Sequence, residues 1–366
     1  MPDLEQNMIE LKAISKQFGS TYALRPTSFS VKKGEFLTLL GPSGSGKSTL
    51  LNLISGGYSA TSGQILMNGS DITDAPPRKR GIGMVFQNYA LMPHMTAFDN
   101  VAYPLRVRGV SKADIKLKVL DALKRVGLAG FEDRKPKQLS GGQQQRVGIA
   151  RCIVYSPSTI MMDEPLGALD KNLREQMQDE IKTLHNEIGT TFIYVTHDQE
   201  EALNMSDRIC LMNNGGVVQL GTPDELYFHP VNKFAAQFIG ESNLLSGTVD
   251  GDNKLRTGTG HLLTMPLSRR VPAGETCEVM LRPERIQIVD PNQAESLGVA
   301  WTVVSGNVAN VSFIGSMTTL AVRLTDGTLF KLKTTSLPEK HRYKIGDPIE
   351  VRWNPEDLVI LQNEKS

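Results

Sequence analysis

Phe36-Leu37-Thr38-Leu39-Leu40-Gly41-Pro42-Ser43-Gly44-Ser45-Gly46-Lys47-Ser48 is the stretch on which the reading of this chain turns. Its first five residues form an apolar run of strand length, introduced by the turn signal Lys33-Gly34. The next eight fit the phosphate-binding loop pattern G-x4-G-K-[ST], and an amphipathic segment, Thr49–Ile54, follows. Strand, glycine loop and helix together are the context in which this pattern carries a mechanism. The glycines let backbone N–H groups converge on phosphate oxygens, and the helix N-terminus adds partial positive charge. Lys47 is expected to reach the β- and γ-phosphates, and the Ser48 hydroxyl to ligate Mg2+. Nucleotide binding is therefore predicted at Gly41, Pro42, Ser43, Gly44, Ser45, Gly46, Lys47, Ser48 and Thr49.

Outward from the loop, apolar strands alternate with amphipathic helices to about residue 225, which predicts an α/β fold. Thr159–Met162 and Thr191–Val195 are the clearest further strands. Between Asn88 and Ala150 the helical pattern dominates, as in Ser111–Val126, where Leu117, Leu120, Leu123 and Lys124 fall at helical spacing. Residues 4–36 read as short strands and turns. Past Gly240 the texture changes to short alternating segments: Glu278–Leu281, Arg285–Val289, Thr319–Leu324 and Ile349–Trp353. Turn signals such as Asp326-Gly327 and Pro338-Glu339 separate them, predicting a small all-β domain, a barrel or a sandwich. The boundary is expected near Ile239–Ser246. This gives domains 1–240, with a helical subdomain at about 88–150, and 241–366.

The 366 residues suit two or three domains. With 40% hydrophobic and 22% charged residues and a net charge of +1, the composition points to a packed globular chain without the basic excess of a nucleic-acid binder. No apolar run approaches the about 20 residues of a membrane-spanning helix, so a membrane role requires partner subunits. Asp3 and Glu5 close behind Met1 do not fit a signal peptide. Cys152, Cys210 and Cys277 are scattered and odd in number, and read as buried free thiols of a reducing compartment.

Two further stretches carry chemistry. Thr159–Glu164 is an apolar strand ending in the carboxylates Asp163 and Glu164, which at a strand's C-terminal end face the ligand crevice of an open α/β sheet. One carboxylate can hold the Mg2+ shell while the next polarises a water toward the γ-phosphate; a solvated acidic turn has the same sequence. Leu139-Ser140-Gly141-Gly142-Gln143 opens a helix over Gln144–Val154 and makes a second anion site at a helix N-terminus. A phosphate-loop protein needs no second phosphate cradle within one chain. Here the sequence resembles the signature of the ABC ATPases, lying shortly before an aspartate–glutamate strand.

The resemblance runs through residues 8–240 and implies a P-loop ATPase domain with a helical subdomain. Further residues match. Gln87 stands where the family places its Q-loop glutamine, which touches Mg2+ and senses the membrane subunits. Gly167-Ala168-Leu169-Asp170 resembles the D-loop, implying dimer communication through Asp170. His197 matches the switch histidine, and Phe18 in Lys16-Gln17-Phe18-Gly19 the adenine-stacking aromatic. Each has a plainer reading: Phe18 as core, His197 as a cap, Gln87 as nothing at all. His94, His185, His229, His261 and His341 lack such context. In the family two subunits face head to tail around two ATP molecules, so Ser140, Gly141, Gly142 and Gln143 would complete the partner's loop. By resemblance Glu164 is the catalytic base, His197 and Lys47 stabilise charge, and Ser48, Gln87 and Asp163 hold Mg2+. The apolar segment Asn88–Asn100 lines either the helical core or the groove that receives a permease helix.

A β domain after Phe238-Ile239-Gly240 that contains Leu281-Arg282-Pro283-Glu284 resembles the regulatory barrel, OB-like, of sugar, iron and polyamine importer ATPases. Gly34–Gly41, Leu139–Arg146 and Thr196–Leu203 look closest to the spermidine/putrescine group. The implied assembly is a homodimer with two permease subunits and an extracytoplasmic solute-binding protein, at the cytoplasmic face of the inner membrane and without nucleic acid. Ferric iron, aminoethylphosphonate or sugar remain open as cargo. A soluble ABC ATPase acting on nucleic acid and a non-transport regulator are the rival classes.

Overall fold

The computed structural model describes residues 6–362 apart from 88, 168, 252, 268–269, 290–300 and 339–342. Asn88, Ala168, Glu339 and His341, which figure in the expectations above, lie outside the described residues. The chain divides into two compact units, 1–223 and 224–366.

In the first unit β1 (Asn7–Phe18) and β2 (Thr21–Lys32) form an antiparallel hairpin, and β3 (Phe36–Leu40) runs into α1 (Lys47–Ser55). β4 (Ser62–Met67), β5 (Ser70–Asp71) and β6 (Ile82–Val85) follow. Then come the helices α2 (Ala97–Val107), α3 (Lys112–Arg125) and α4 (Gly141–Ile153). β7 (Thr159–Asp163), α5 (Lys171–Ile188), β8 (Thr191–Thr196), α6 (Gln199–Met205), β9 (Arg208–Asn213) and β10 (Gly216–Gly221) complete it. The main sheet has the order β10-β9-β3-β8-β7-β6, parallel except for β10. β3 lies inside it with all five residues buried, as a parallel strand covered on both faces must be. A smaller antiparallel sheet, β2-β1-β4-β5, stands beside it.

Order in the main sheet sets the site. β3, β8 and β7 are consecutive neighbours, so the segments leaving their C-terminal ends converge at one edge. Those segments are the glycine loop, His197 and the Asp163-Glu164 pair. The helices begin where short polar side chains cap them: Ser111 accepts from Asp114 N, Asp170 from Leu173 N, and Asp198 from Glu200 N and Glu201 N.

The helix expected over Ser111–Val126 is present as α3, and packing decides which of its faces is buried. Leu117 and Leu120 are exposed, and Ile115, Val119, Ala122 and Leu123 face the core. A run of alternating lysines and leucines is compatible with two adjacent helical faces, and packing selects the one bearing Ile115 and Val119. Residues 7–32 form two strands of 12 residues rather than several short ones. Repeated register shifts between β1 and β2 break the alternation that marks a long strand.

The second unit begins with most of α7 (Pro223–Phe228) and with α8 (Lys233–Phe238). Its strands are β11 (Asn243–Val249), β12 (Lys254–Thr257), β13 (Leu262–Thr264), β14 (Thr276–Leu281), β15 (Gln287–Ile288), β16 (Thr302–Ile314), β17 (Met317–Leu324), β18 (Leu329–Thr335), β19 (Pro348–Trp353) and β20 (Val359–Ile360). They form two five-stranded antiparallel sheets, β13-β12-β11-β14-β20 and β15-β19-β16-β17-β18, around one apolar core. Trp353 stacks on Phe330 at the centre of this small barrel-type domain. The unit starts at 224, upstream of the expected linker, and Arg282 is one of the residues that tie both short helices to it. Its guanidinium donates to the carbonyls of Tyr227, Ala236 and Glu241.

Candidate nucleotide site

The glycine loop closes tightly between β3 and α1. A Cβ at Gly41 would lie 2.2 Å from the Met212 carbonyl oxygen, and one at Gly46, whose φ is +102°, 2.8 Å from that of Ala23. Larger residues at either position would force the backbone apart. The Lys47 side chain folds back over this loop, donating to the carbonyls of Gly41 at 2.7 Å and Pro42 at 2.9 Å. Burial pushes its ammonium below the usual lysine range, while Glu164 and Asp163 act in the opposite sense. Ser45 Oγ is buried and has no hydrogen-bond partner among the described residues, whereas Ser48 is exposed at the start of α1. The cradle thus carries N–H groups, a cation and two hydroxyls, a donor set that fits polyphosphate.

Opposite Lys47 lies the end of β7. Burial first, and Glu164 second, raise the Asp163 carboxyl above the ordinary aspartate range, with Lys47 opposing. Glu164 adopts φ +44°, a left-handed conformation rare for a residue with a side chain, held by its N–H bond to Val195 O at 3.0 Å. This turn places Glu164 Oε1 3.5 Å from Nδ1 of His197, which follows β8. Loop lysine, two carboxylates and histidine, spread over 150 residues of sequence, are therefore gathered at one sheet edge.

Gln87 is exposed just after β6, and its Nε2 lies 3.8 Å from where a Cβ at Gly167 would stand. Ser140 and Gln143 form a reciprocal capping box at the start of α4: Gln143 N donates to Ser140 Oγ at 3.3 Å and Ser140 N to Gln143 Oε1 at 3.0 Å. Among the described residues no hydrogen bond or ion pair links Ser140–Gln143 to residues 41–48 of the same chain. Asp170 caps α5 next to this turn, since a Cβ at Gly142 would meet Leu173 at 3.2 Å. Phe18 is 51% exposed, with the Lys16 ammonium over its ring at 4.9 Å and the Tyr58 ring edge-on at 5.7 Å.

Comparison with known proteins places this geometry. Residues 24–167 match the ABC transporter family and residues 279–361 the TOBE domain. The spermidine/putrescine import ATP-binding protein PotA of Nitrosomonas europaea is 43% identical over 97% of this chain and 99% of its own length. That of Spiroplasma citri is 41% identical over 99% of each. The chain belongs to the ABC transporter ATPase family. Among solved structures, the ABC cassette MJ0796, solved as a dimer, aligns with TM-score 0.54 and 37% identity, covering 59% of this chain and 99% of its own. The cbiO1 component of the cbiONQ transporter complex of Clostridium perfringens aligns with TM-score 0.58 and 29% identity, covering 61% and 91%.

Within this ABC cassette the structure adds residues that motif reading missed. Arg151, late in α4, donates to the carbonyls of Tyr89 and Ala90. Arg174, one turn into α5, contacts Leu169, Asp198 and Glu201. Tyr58 and Lys16 frame Phe18. None belongs to a local pattern; only the arginine character of positions 151 and 174 on otherwise amphipathic helices marked them. His185 has the plain role expected of it, buried between Phe36 and Phe192 with Nε2 2.9 Å from the Gly34 carbonyl.

Proposed function

We propose that this chain is the ATP-hydrolysing subunit of a polyamine importer, acting as a homodimer at the cytoplasmic face of the membrane. The observation that carries the reading is identity above 40% to importer ATP-binding proteins of spermidine and putrescine, sustained through both units. It is joined to a site with each chemical group that hydrolysis needs.

In the proposed reaction, backbone N–H groups of residues 44–49 and the Lys47 ammonium orient the phosphates. Ser48, Gln87 and Asp163 offer hydroxyl, amide and carboxylate oxygens, a hard donor set that suits Mg2+. Asp163, half-buried beside the second carboxylate of Glu164, gives this donor set its negative charge. Bound Mg2+ supplies positive charge to the phosphate oxygens. Glu164 accepts a proton from the attacking water, and His197 beside it hydrogen-bonds the γ-phosphate. Phe18 stacks on adenine. Ser140, Gly141, Gly142 and Gln143 of a second copy complete the site, and Asp170 carries the state of one site to the other. Residues 1–240 form the nucleotide-binding part and 241–366 a regulatory one. Gln87 and part of the segment to Asn100 face two permease subunits, which receive solute from an extracytoplasmic binding protein.

The test is ATPase activity of the chain co-purified with its membrane neighbours, assayed with the binding protein while solutes are added singly. Stimulation by spermidine or putrescine is the expected result. Stimulation by iron, a phosphonate or a sugar instead overturns the cargo but keeps the importer. Turnover indifferent to every solute, with no permease retained, overturns transport.

A further inference from the structure

Arg174 lies outside every motif discussed so far, yet its guanidinium joins three segments. Nη2 donates to the Leu169 carbonyl at 3.1 Å, Nη1 to Asp198 Oδ2 at 3.2 Å, and Nε stands 3.9 Å from Glu201 Oε1. Leu169 precedes the α5 cap Asp170, and Asp198 follows His197 directly. The histidine is the middle residue of a segment fixed at both ends. Asp198 N donates to Thr196 Oγ1 at 3.0 Å, and Thr196 Oγ1 donates to Glu201 Oε2 at 2.7 Å. Asp198 Oδ1 receives the N–H groups of Glu200 and Glu201 at 2.9 and 3.3 Å.

From this geometry we infer that Arg174 is a positioning residue for hydrolysis, coupling the loop before α5 to the loop that carries His197. The inference rests on the ATPase reading above. Its physical basis is the planar, forked guanidinium, which addresses a carbonyl on one loop and a carboxylate on another at once; a lysine ammonium lacks that fork. Asp198 and the nearly buried Glu201 share this cation, so each constrains it. A shift of Leu169, beside the turn that opens the signature helix, pulls on the guanidinium and through Asp198 on the backbone of His197. His197 and Glu164 are 3.5 Å apart, a spacing that a small rotation of that backbone would break. Lys182 and Gln178 also join α5 to α6, through Asn204, but they reach only the far end of α6. Replacing Arg174 leaves these two contacts in place.

The experiment is steady-state ATPase kinetics of the full chain as wild type, Arg174→Lys, Arg174→Met, Asp198→Asn, the Arg174→Lys/Asp198→Asn double variant and Glu164→Gln. For Arg174→Lys we expect kcat to fall about ten-fold or more with KM for ATP within about two-fold, and thermal unfolding close to wild type. The double variant should lose little beyond the worse single one, because both act through one contact. A structural staple alone would lower stability and leave the kcat of the folded fraction unchanged. Wild-type-like kcat in both Arg174 variants, or losses that multiply in the double variant, overturns the proposal. Wild-type turnover in Glu164→Gln removes Glu164 as the base, whereas a wild-type chain that hydrolyses no ATP overturns the ATPase reading itself, so the two failures are distinguishable.

Discussion

Arg151 Nη2 donates to the Tyr89 carbonyl at 2.8 Å, while its Nη1 donates to that of Ala90 at 2.7 Å. Tyr89 and Ala90 are consecutive non-glycine residues with φ of +57° and +46°. Left-handed backbone costs about 1–2 kcal/mol per such residue, so the turn persists because α4 holds it from outside. The turn after Gln87 is therefore tied to the signature helix α4 through one side chain.

Arg151→Met removes both donors. Loss of about 1–3 kcal/mol of stability is expected from two carbonyls left without them, read from the denaturant midpoint. In the assembled importer, solute-stimulated ATPase should collapse while ATP binding stays. A carboxylate introduced by Tyr89→Glu should uncouple in the same way. Retained stimulation in both would separate this turn from coupling.

Glu164→Gln keeps the shape of the side chain and removes the proton acceptor. Turnover should drop by at least about a hundred-fold, the lower range for a lost general base. ATP-bound dimers should accumulate and be visible by size-exclusion chromatography. Monomers with ATP bound would show that residues 140–143 do not complete a partner's site.

Asp163 makes the nucleotide-free protein pH-sensitive in a defined direction. Its carboxyl is raised by burial and by Glu164. A raised acid contributes stability that is whole below the unfolded pKa and is lost as pH rises through the folded one. Asp163→Asn should thus raise the Tm of the nucleotide-free chain at neutral pH, and the gain should vanish as pH falls into the ordinary aspartate range. A gain that persists in acid would assign it to something other than the charge.

Cys152 and Cys210 are fully enclosed, and burial pushes both thiols up to about 12. Reactivity follows the thiolate, so neither should be alkylated in the native protein at about pH 8, and both should react in denaturant. Mass spectrometry after a timed iodoacetamide pulse reads this directly. Native labelling at Cys152, whose thiol donates to the Met84 carbonyl at 3.0 Å, would mean that α4 opens from β6.

The parts of this molecule that were legible in sequence are those encoded by neighbours. Gly41 to Ser48 form one contiguous device, Asp163 and Glu164 are adjacent, and Ser111 and Ser140 cap their own helices. What escaped is long-range. Arg151 meets Tyr89 across 62 residues and Arg174 meets Asp198 across 24, and side-chain reach over such separations leaves no periodic trace. Leu117 and Leu120 marked a helix by their spacing yet are exposed, because periodicity defines a stripe but not which stripe the neighbouring helices cover. The start of the second unit at 224 likewise rests on long-range contacts: Arg282 donates to the carbonyls of Tyr227 and Ala236, Lys233 meets Glu278, and Ala236 packs with Met280 and Leu361.

Lys47, folded onto the Gly41 and Pro42 carbonyls, turns the loop into a latch. Without phosphate the ammonium is engaged by two neutral dipoles, and a ligand gains only the difference between those dipoles and its own oxygens. A nucleoside, or a monophosphate too short to reach Lys47, leaves the latch shut and gains nothing from it. A polyphosphate opens it by exchanging dipoles for full negative charges. The discrimination thus resides in a competition the chain sets up against itself, its own carbonyls against the oxygens of the ligand.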